Sequence, residues 1–204
     1  MTRTGLVAIL RGIRPDEAVA VGRVLVEEGI DAIEVPLNSP DPFRSIERLA
    51  AAVGNTVPVG AGTVLTVEEV ARARTAGARL IVSPNADPAV IAATVEHGLR
   101  SYPGVVTPTE AFAALAAGAR SLKLFPAHAV GIAGLRAWRS VLPADVELLP
   151  VGGVDATNLG EWLGAGADGA GLGSCLYRPG DPADLVRERA RELFVVAAAG
   201  RPRG

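Results

Sequence analysis

The chain has 204 residues, 49 per cent apolar and only 4 per cent aromatic, with a formal charge of −2. That length and composition can bury one core built mainly of Ala, Val, Leu and Ile, so residues 1–204 are expected to form a single domain. The scattered charges leave no basic stripe for nucleic acid, no apolar run is long enough to span a bilayer, and "MTRTGLVAILRG" lacks the form of a secretory signal, so a cytoplasmic protein is expected.

A single cysteine, Cys175, excludes an internal disulfide or a thiolate zinc cluster and reads as a small buried hydrophobe. Two histidines, His97 and His128, are too few for a three-histidine metal site. No metal or cofactor is therefore expected, and His128 reads as a loop side chain.

From the N-terminus onward the chain repeats one phrase: an Ala-rich amphipathic run, a glycine, then a short apolar run ending in small or polar residues. After "GLVAILRG" it appears as "EEGIDAIEVPLN", "TAGARLIVSPN", "EHGLRSYPG", "AAGARSLKLFPA" and "GAGADGAGLGS". Its glycines, Gly29, Gly77, Gly98, Gly118 and Gly166, are separated by 48, 21, 20 and 48 residues. Each long gap spans two units and holds a further strand candidate, "TVPVGAGTV" or "VELLPVGGV". Each glycine suits the left-handed position that closes a helix. Thr66 in "TVEE" and Thr107 in "TPTE" have capping-box spacing, and Asp87-Pro88 marks another helix start. Strands alternating with helices imply parallel strands and right-handed crossovers, and eight units imply a compact (β/α)8 TIM barrel, with an open doubly wound sheet as the alternative. "GAGADG" matches a dinucleotide fingerprint, but it closes a helix and opens a strand, the reverse of the order that motif needs.

In such a barrel, reactive groups belong at the C-terminal ends of strands with inward parity. Lys123 in "SLKLFPA" is the only lysine beside nineteen arginines. Arginine stays protonated, whereas a desolvated lysine can lose its proton and attack a carbonyl. Side chains alternate along a strand, so if Leu122 and Leu124 pack on helices, Lys123 points inward. In "DAIEVPLN" the apolar Ile33, Val35 and Leu37 leave Glu34 on the barrel side, where an acid is costly unless paired or working. Arg11 ends the first strand and Thr63 the third. The second and sixth strands face each other, so Glu34 and Lys123 approach from opposite walls. They form either an inert buried ion pair or a proton shuttle beside an amine depressed from about 10.4. After the seventh and eighth strands, Gly152, Gly153, Gly173 and Ser174 offer a backbone-rich phosphate site.

With "AILRGI", "IEVPLNSP", "GAGTVL", "IVSPN", "LKLFPA", "VGGV" and "GLGS" in this order, the chain resembles the 2-keto-3-deoxy-6-phosphogluconate and -galactonate aldolase family over residues 6 to 177. The resemblance implies a metal-free class I aldolase, homotrimeric, that forms pyruvate from a phosphorylated 2-oxo-3-deoxy sugar acid. It makes Lys123 the Schiff-base residue and Glu34 the proton shuttle, puts Arg11, Thr63 and Pro84 at the substrate, and places phosphate on Gly152, Gly153 and Ser174. The phosphogluconate branch carries an arginine where this chain has Asn38, in "PLNSP", a wording that looks like the phosphogalactonate branch. A phosphogluconate or 4-hydroxy-2-oxoglutarate aldolase is the nearer alternative; a phosphosugar isomerase, an epimerase or a non-catalytic binding barrel is more distant.

Overall fold

The computed structural model describes residues 5–200. Its strands are short and all parallel: β1 Leu6–Ile9, β2 Ala32–Pro36, β3 Val59–Gly62, β4 Leu80–Val82, β5 Arg100–Tyr102, β6 Gly104–Val105, β7 Ser121–Leu124, β8 Glu147–Pro150 and β9 Ala170–Leu172. Between them run α1 Pro15–Glu28, α2 Pro42–Val53, α3 Val67–Thr75, α4 Pro88–Glu96, α5 Pro108–Ala116, α6 Ala127–Arg139 and α7 Leu159–Gly164, with α8 Ala183–Gly200 last.

The helix boundaries follow local chemistry. Thr66 and Thr107 form reciprocal capping boxes with Glu69 and Glu110, and the Asp87 carboxylate accepts from the Ala89 and Val90 N–H groups. Each such cap stabilises a helix start by about 1 kcal/mol. All five repeat glycines have φ between 71° and 106°, a region a side chain would strain.

The expected single sheet of eight strands is instead two parallel sheets. One runs β5-β4-β3-β2-β1-β9, the other β6-β7-β8. Pro103, which has no N–H to give to a ladder, divides the expected fifth strand into β5, paired with β4, and β6, paired with β7. The second break lies between β8 and β9, where a single bridge joins Val151 to Gly171. Beside it the Leu148 N–H donates to the Asp168 carboxylate at 2.7 Å, so a side chain takes a ladder position. "GAGADG" ends α7 and leads into β9, helix before strand.

Strand alternation divides the core in two. Leu6, Ala8, Ile33, Val35, Leu122, Leu124 and Leu148 pack against the helices, while Val7, Ala32, Leu80, Val82, Tyr102 and Leu149 form a smaller apolar cluster on the opposite faces. Among the described residues no helix is long and apolar enough to cross a membrane.

Candidate active site

Leu122 and Leu124 are fully buried in the helix-facing core, which turns Lys123 of β7 to the other side. Ile33 and Val35 do the same for Glu34 of β2. Glu34 and Lys123 consequently line one narrow pocket of about 20 Å³, room for a single water, with Ile9, Val82, Tyr102 and Val151 among its walls. They are 2% and 7% exposed.

This burial disfavours both charges. Desolvation pushes the Glu34 carboxyl up to about 7, against the pull of the cations Lys123 and Arg11. Desolvation lowers the Lys123 amine below its ordinary value; Glu34 opposes that shift and Arg11 adds to it. Glu34 Oε2 has no hydrogen-bond partner, a costly condition for a structural acid. The carboxylate reaches its place because residue 62 is glycine, since a Cβ there would overlap it. The Lys123 Nζ lies 4.3 Å from the centre of the Phe125 ring.

Next to this pocket, and sharing Ile9, Val151 and Gly171 with it, opens a cavity of about 220 Å³. Gly152, Gly153, Gly173, Ser174 and Arg11 line it together, as do Phe125, Asp155 and Cys175. Gly152 and Gly153 have φ of 93° and 80°. This double left-handed turn needs glycine twice and leaves backbone donors uncovered by side chains. The Asp155 carboxylate accepts from the Thr157 N–H and hydroxyl, which hold it below its ordinary value and charged.

Several expectations are corrected. Arg11 lies beyond the end of β1, exposed, and its Nη1 donates to Asn38 Oδ1 at 2.6 Å. Thr63 follows β3 rather than ending it, in a left-handed conformation with φ 58°. Thr63, Pro84 and Asn38 line neither cavity; Pro84 instead follows β4, where its carbonyl packs so closely on Gly104 that a Cβ there would collide. Cys175 is half-buried, packed against the main core and lining the glycine cavity, and burial raises its thiol. His128 sits in the first turn of α6, exposed, not in a loop. Sequence reasoning missed Phe125 and Asp155 as lining residues. Phe125 shares its parity with Lys123 and was within reach of that argument, whereas Asp155 sits in a turn with no such signal. Among the described residues no group of three or more His, Cys, Asp or Glu side chains is placed to hold a metal ion.

Comparison with known proteins agrees with this geometry. The chain is 52% identical over 185 residues to a probable 2-dehydro-3-deoxy-6-phosphogalactonate aldolase of Rhizobium meliloti (strain 1021), covering 91% of this chain and 87% of that protein. It is 46% identical over 189 residues to the 2-dehydro-3-deoxy-6-phosphogalactonate aldolase of Escherichia coli (strain K12), covering 93% and 92%. A solved structure described as native KDPGal superposes with a TM-score of 0.95 at 44% identity, covering 98% of this chain and 97% of that one. The family model for KDPG and KHG aldolase matches residues 1–187, and the chain belongs to that aldolase family.

Proposed function

We propose that the protein is a class I aldolase that cleaves 2-dehydro-3-deoxy-6-phosphogalactonate to pyruvate and D-glyceraldehyde 3-phosphate. The observation that carries this reading is the chain's one lysine, buried, its amine lowered by desolvation, in one pocket with a buried glutamate whose Oε2 has no hydrogen-bond partner, next to a glycine-lined cavity.

Lys123 Nζ attacks the C2 ketone, and the carbinolamine loses water to give an iminium. Glu34, close to neutral pH in its affinity for protons, gives and takes the protons of these steps. Removal of the C4 hydroxyl proton sends the C3–C4 bonding pair into the iminium, releasing the aldehyde and leaving an enamine. A proton is then added at C3, and water hydrolyses the imine to pyruvate and free Lys123. Gly152, Gly153, Gly173 and Ser174 hold the phosphate; Arg11, which lines the same cavity, serves that end rather than the carboxylate. Thr63 is assigned to the carboxylate end, Pro84 to the mouth of the site by family resemblance, and Asn38 to the choice of C4 configuration. That choice draws support from relatives named for the galactonate compound.

In this reading residues 1–204 act as one domain and the two sheets as one barrel around the Lys123 pocket. The protein works in the cytoplasm as a homotrimer; Leu65 and Phe112, 49% and 48% exposed, supply apolar surface for assembly.

The test is incubation with pyruvate and borohydride followed by peptide mapping. A reduced pyruvate adduct on Lys123, absent from Lys123→Arg, is expected, with faster cleavage of the galactonate than the gluconate epimer. Folded protein that yields no adduct would return the chain to the isomerase or binding-barrel reading.

A further inference from the structure

Two cavities meet back to back. The Glu34–Lys123 pocket and a cavity of about 100 Å³ at the N-terminal ends of the strands are both lined by Val7, Tyr102 and Leu149. The rear cavity is charged, with Asp31, Arg100, Glu147 and Asp168 around it. The shared wall is apolar and buried, part of the small cluster that faces away from the helices. Tyr102 is its one aromatic member. Its phenol hydroxyl is directed to the rear, toward Arg100 and Ser121, and Ser121 in turn donates to Glu147 at 2.7 Å.

We infer that Tyr102, with Val7 and Leu149, is a partition that keeps water and the rear charges away from Lys123, making Tyr102 a positioning residue for the amine. The inference rests on Lys123 being the reacting amine. This wall is what separates the amine from the rear cavity at the N-terminal ends of the strands. A small side chain at position 102 would join the two cavities.

The sign of the effect follows from desolvation, the main cause of the lowered amine. Lys123 is faced by Glu34 from β2 and by Arg11 beyond β1. Behind the wall stand Asp31, Arg100, Glu147 and Asp168, and Asp168 is ion-paired to Arg139. Opening the wall hydrates the ammonium, and hydration favours its protonated form. Hydration favours the charged form of Glu34 as well, so Lys123, the reacting amine, is the group to follow.

The experiment measures the rate of reductive pyruvate trapping on Lys123 by cyanoborohydride between roughly pH 6 and 10, the range that brackets a depressed lysine. Wild type, Tyr102→Phe, Tyr102→Leu and Leu149→Ala are compared, with circular dichroism and thermal melts to establish folding. Tyr102→Phe keeps the ring and is expected to keep the wild-type midpoint. Tyr102→Leu and Leu149→Ala are expected to move the midpoint upward, and trapping at neutral pH slows about tenfold for every pH unit the midpoint climbs. If Tyr102→Leu does not fold, Leu149→Ala carries the test. A wild-type midpoint in the folded wall variants overturns the inference, as does a Tyr102→Phe midpoint displaced as far as that of Tyr102→Leu. Wild-type protein that forms no adduct would instead overturn the aldolase reading itself.

Discussion

The Arg11 guanidinium is held by Asn38, 27 residues away in sequence, through a 2.6 Å hydrogen bond from Nη1 to Oδ1. The β1–β2 register, with Ile9 opposite Glu34, brings the two following turns together. Arg11 lines the glycine cavity and Asn38 does not, so any effect of Asn38 on the phosphate end would pass through the guanidinium it bonds. Asn38→Ala is expected to raise KM for the phosphorylated substrate about fivefold, the worth of one exposed hydrogen bond of roughly 1 kcal/mol. Trapping of pyruvate, which has no phosphate, should stay within about twofold. Equal losses on both would show that Asn38 supports the amine chemistry instead.

Glu34 sets a pH dependence of stability. In the folded protein its carboxyl is raised from 4.5 to about 7. A raised folded value means that the folded chain binds the extra proton, so this contribution is fully present below about pH 4.5 and is lost as pH rises through about 7. Glu34→Gln removes the penalty, and at pH 8 the variant should be more stable than wild type by up to about 3 kcal/mol in urea unfolding, with kcat down at least about 100-fold. A variant no more stable at pH 8 than at pH 5, relative to wild type, would show that the acid is not desolvated.

Thr63 stores backbone strain. A β-branched residue at φ 58° costs about 1–3 kcal/mol, while glycine at the same position adds only about 0.5–1 kcal/mol of unfolded-state entropy. Thr63→Gly is therefore expected to stabilise the fold by about 1 kcal/mol while lowering kcat/KM. A loss of stability on thermal melting would mean that the hydroxyl's contacts outweigh the strain.

Gly62 is the reverse case, a position where one methyl group is too many. Gly62→Ala places a Cβ on the Glu34 carboxylate and must displace it. The expected result is a fall in kcat of about 100-fold or more at a stability cost of about 1–3 kcal/mol, with pyruvate binding retained. Near-wild-type kcat would separate Glu34 from the chemistry.

How much of this was legible in the sequence depended on the period of each signal. Lys123 and Glu34 sit in strands whose leucines, isoleucines and valines declare the outer face, so two-residue parity placed both on the inner side. The repeat glycines and the Thr66, Thr107 and Asp87 caps are local signals and survived intact. The break at Pro103 was equally local, but a barrel count spread over eight units concealed it. Arg11, Thr63, Asn38 and Asp155 lie in turns, where no period exists and position is set by which strands are neighbours. Their partners were legible only once the register was known.

The burial of Lys123 also makes the chain a reporter of its own unfolding. A lysine-specific endoprotease has one peptide bond to cut, after a side chain that is 7% exposed, and its Leu124 neighbour is fully buried. The Lys123 N–H is itself tied to the Pro103 carbonyl at 2.9 Å. No exposed loop or helix offers the enzyme an alternative, so scission waits for β7 to leave the sheet. The appearance of two fragments thus measures the population of molecules in which β7 has opened, without a dye or an introduced label.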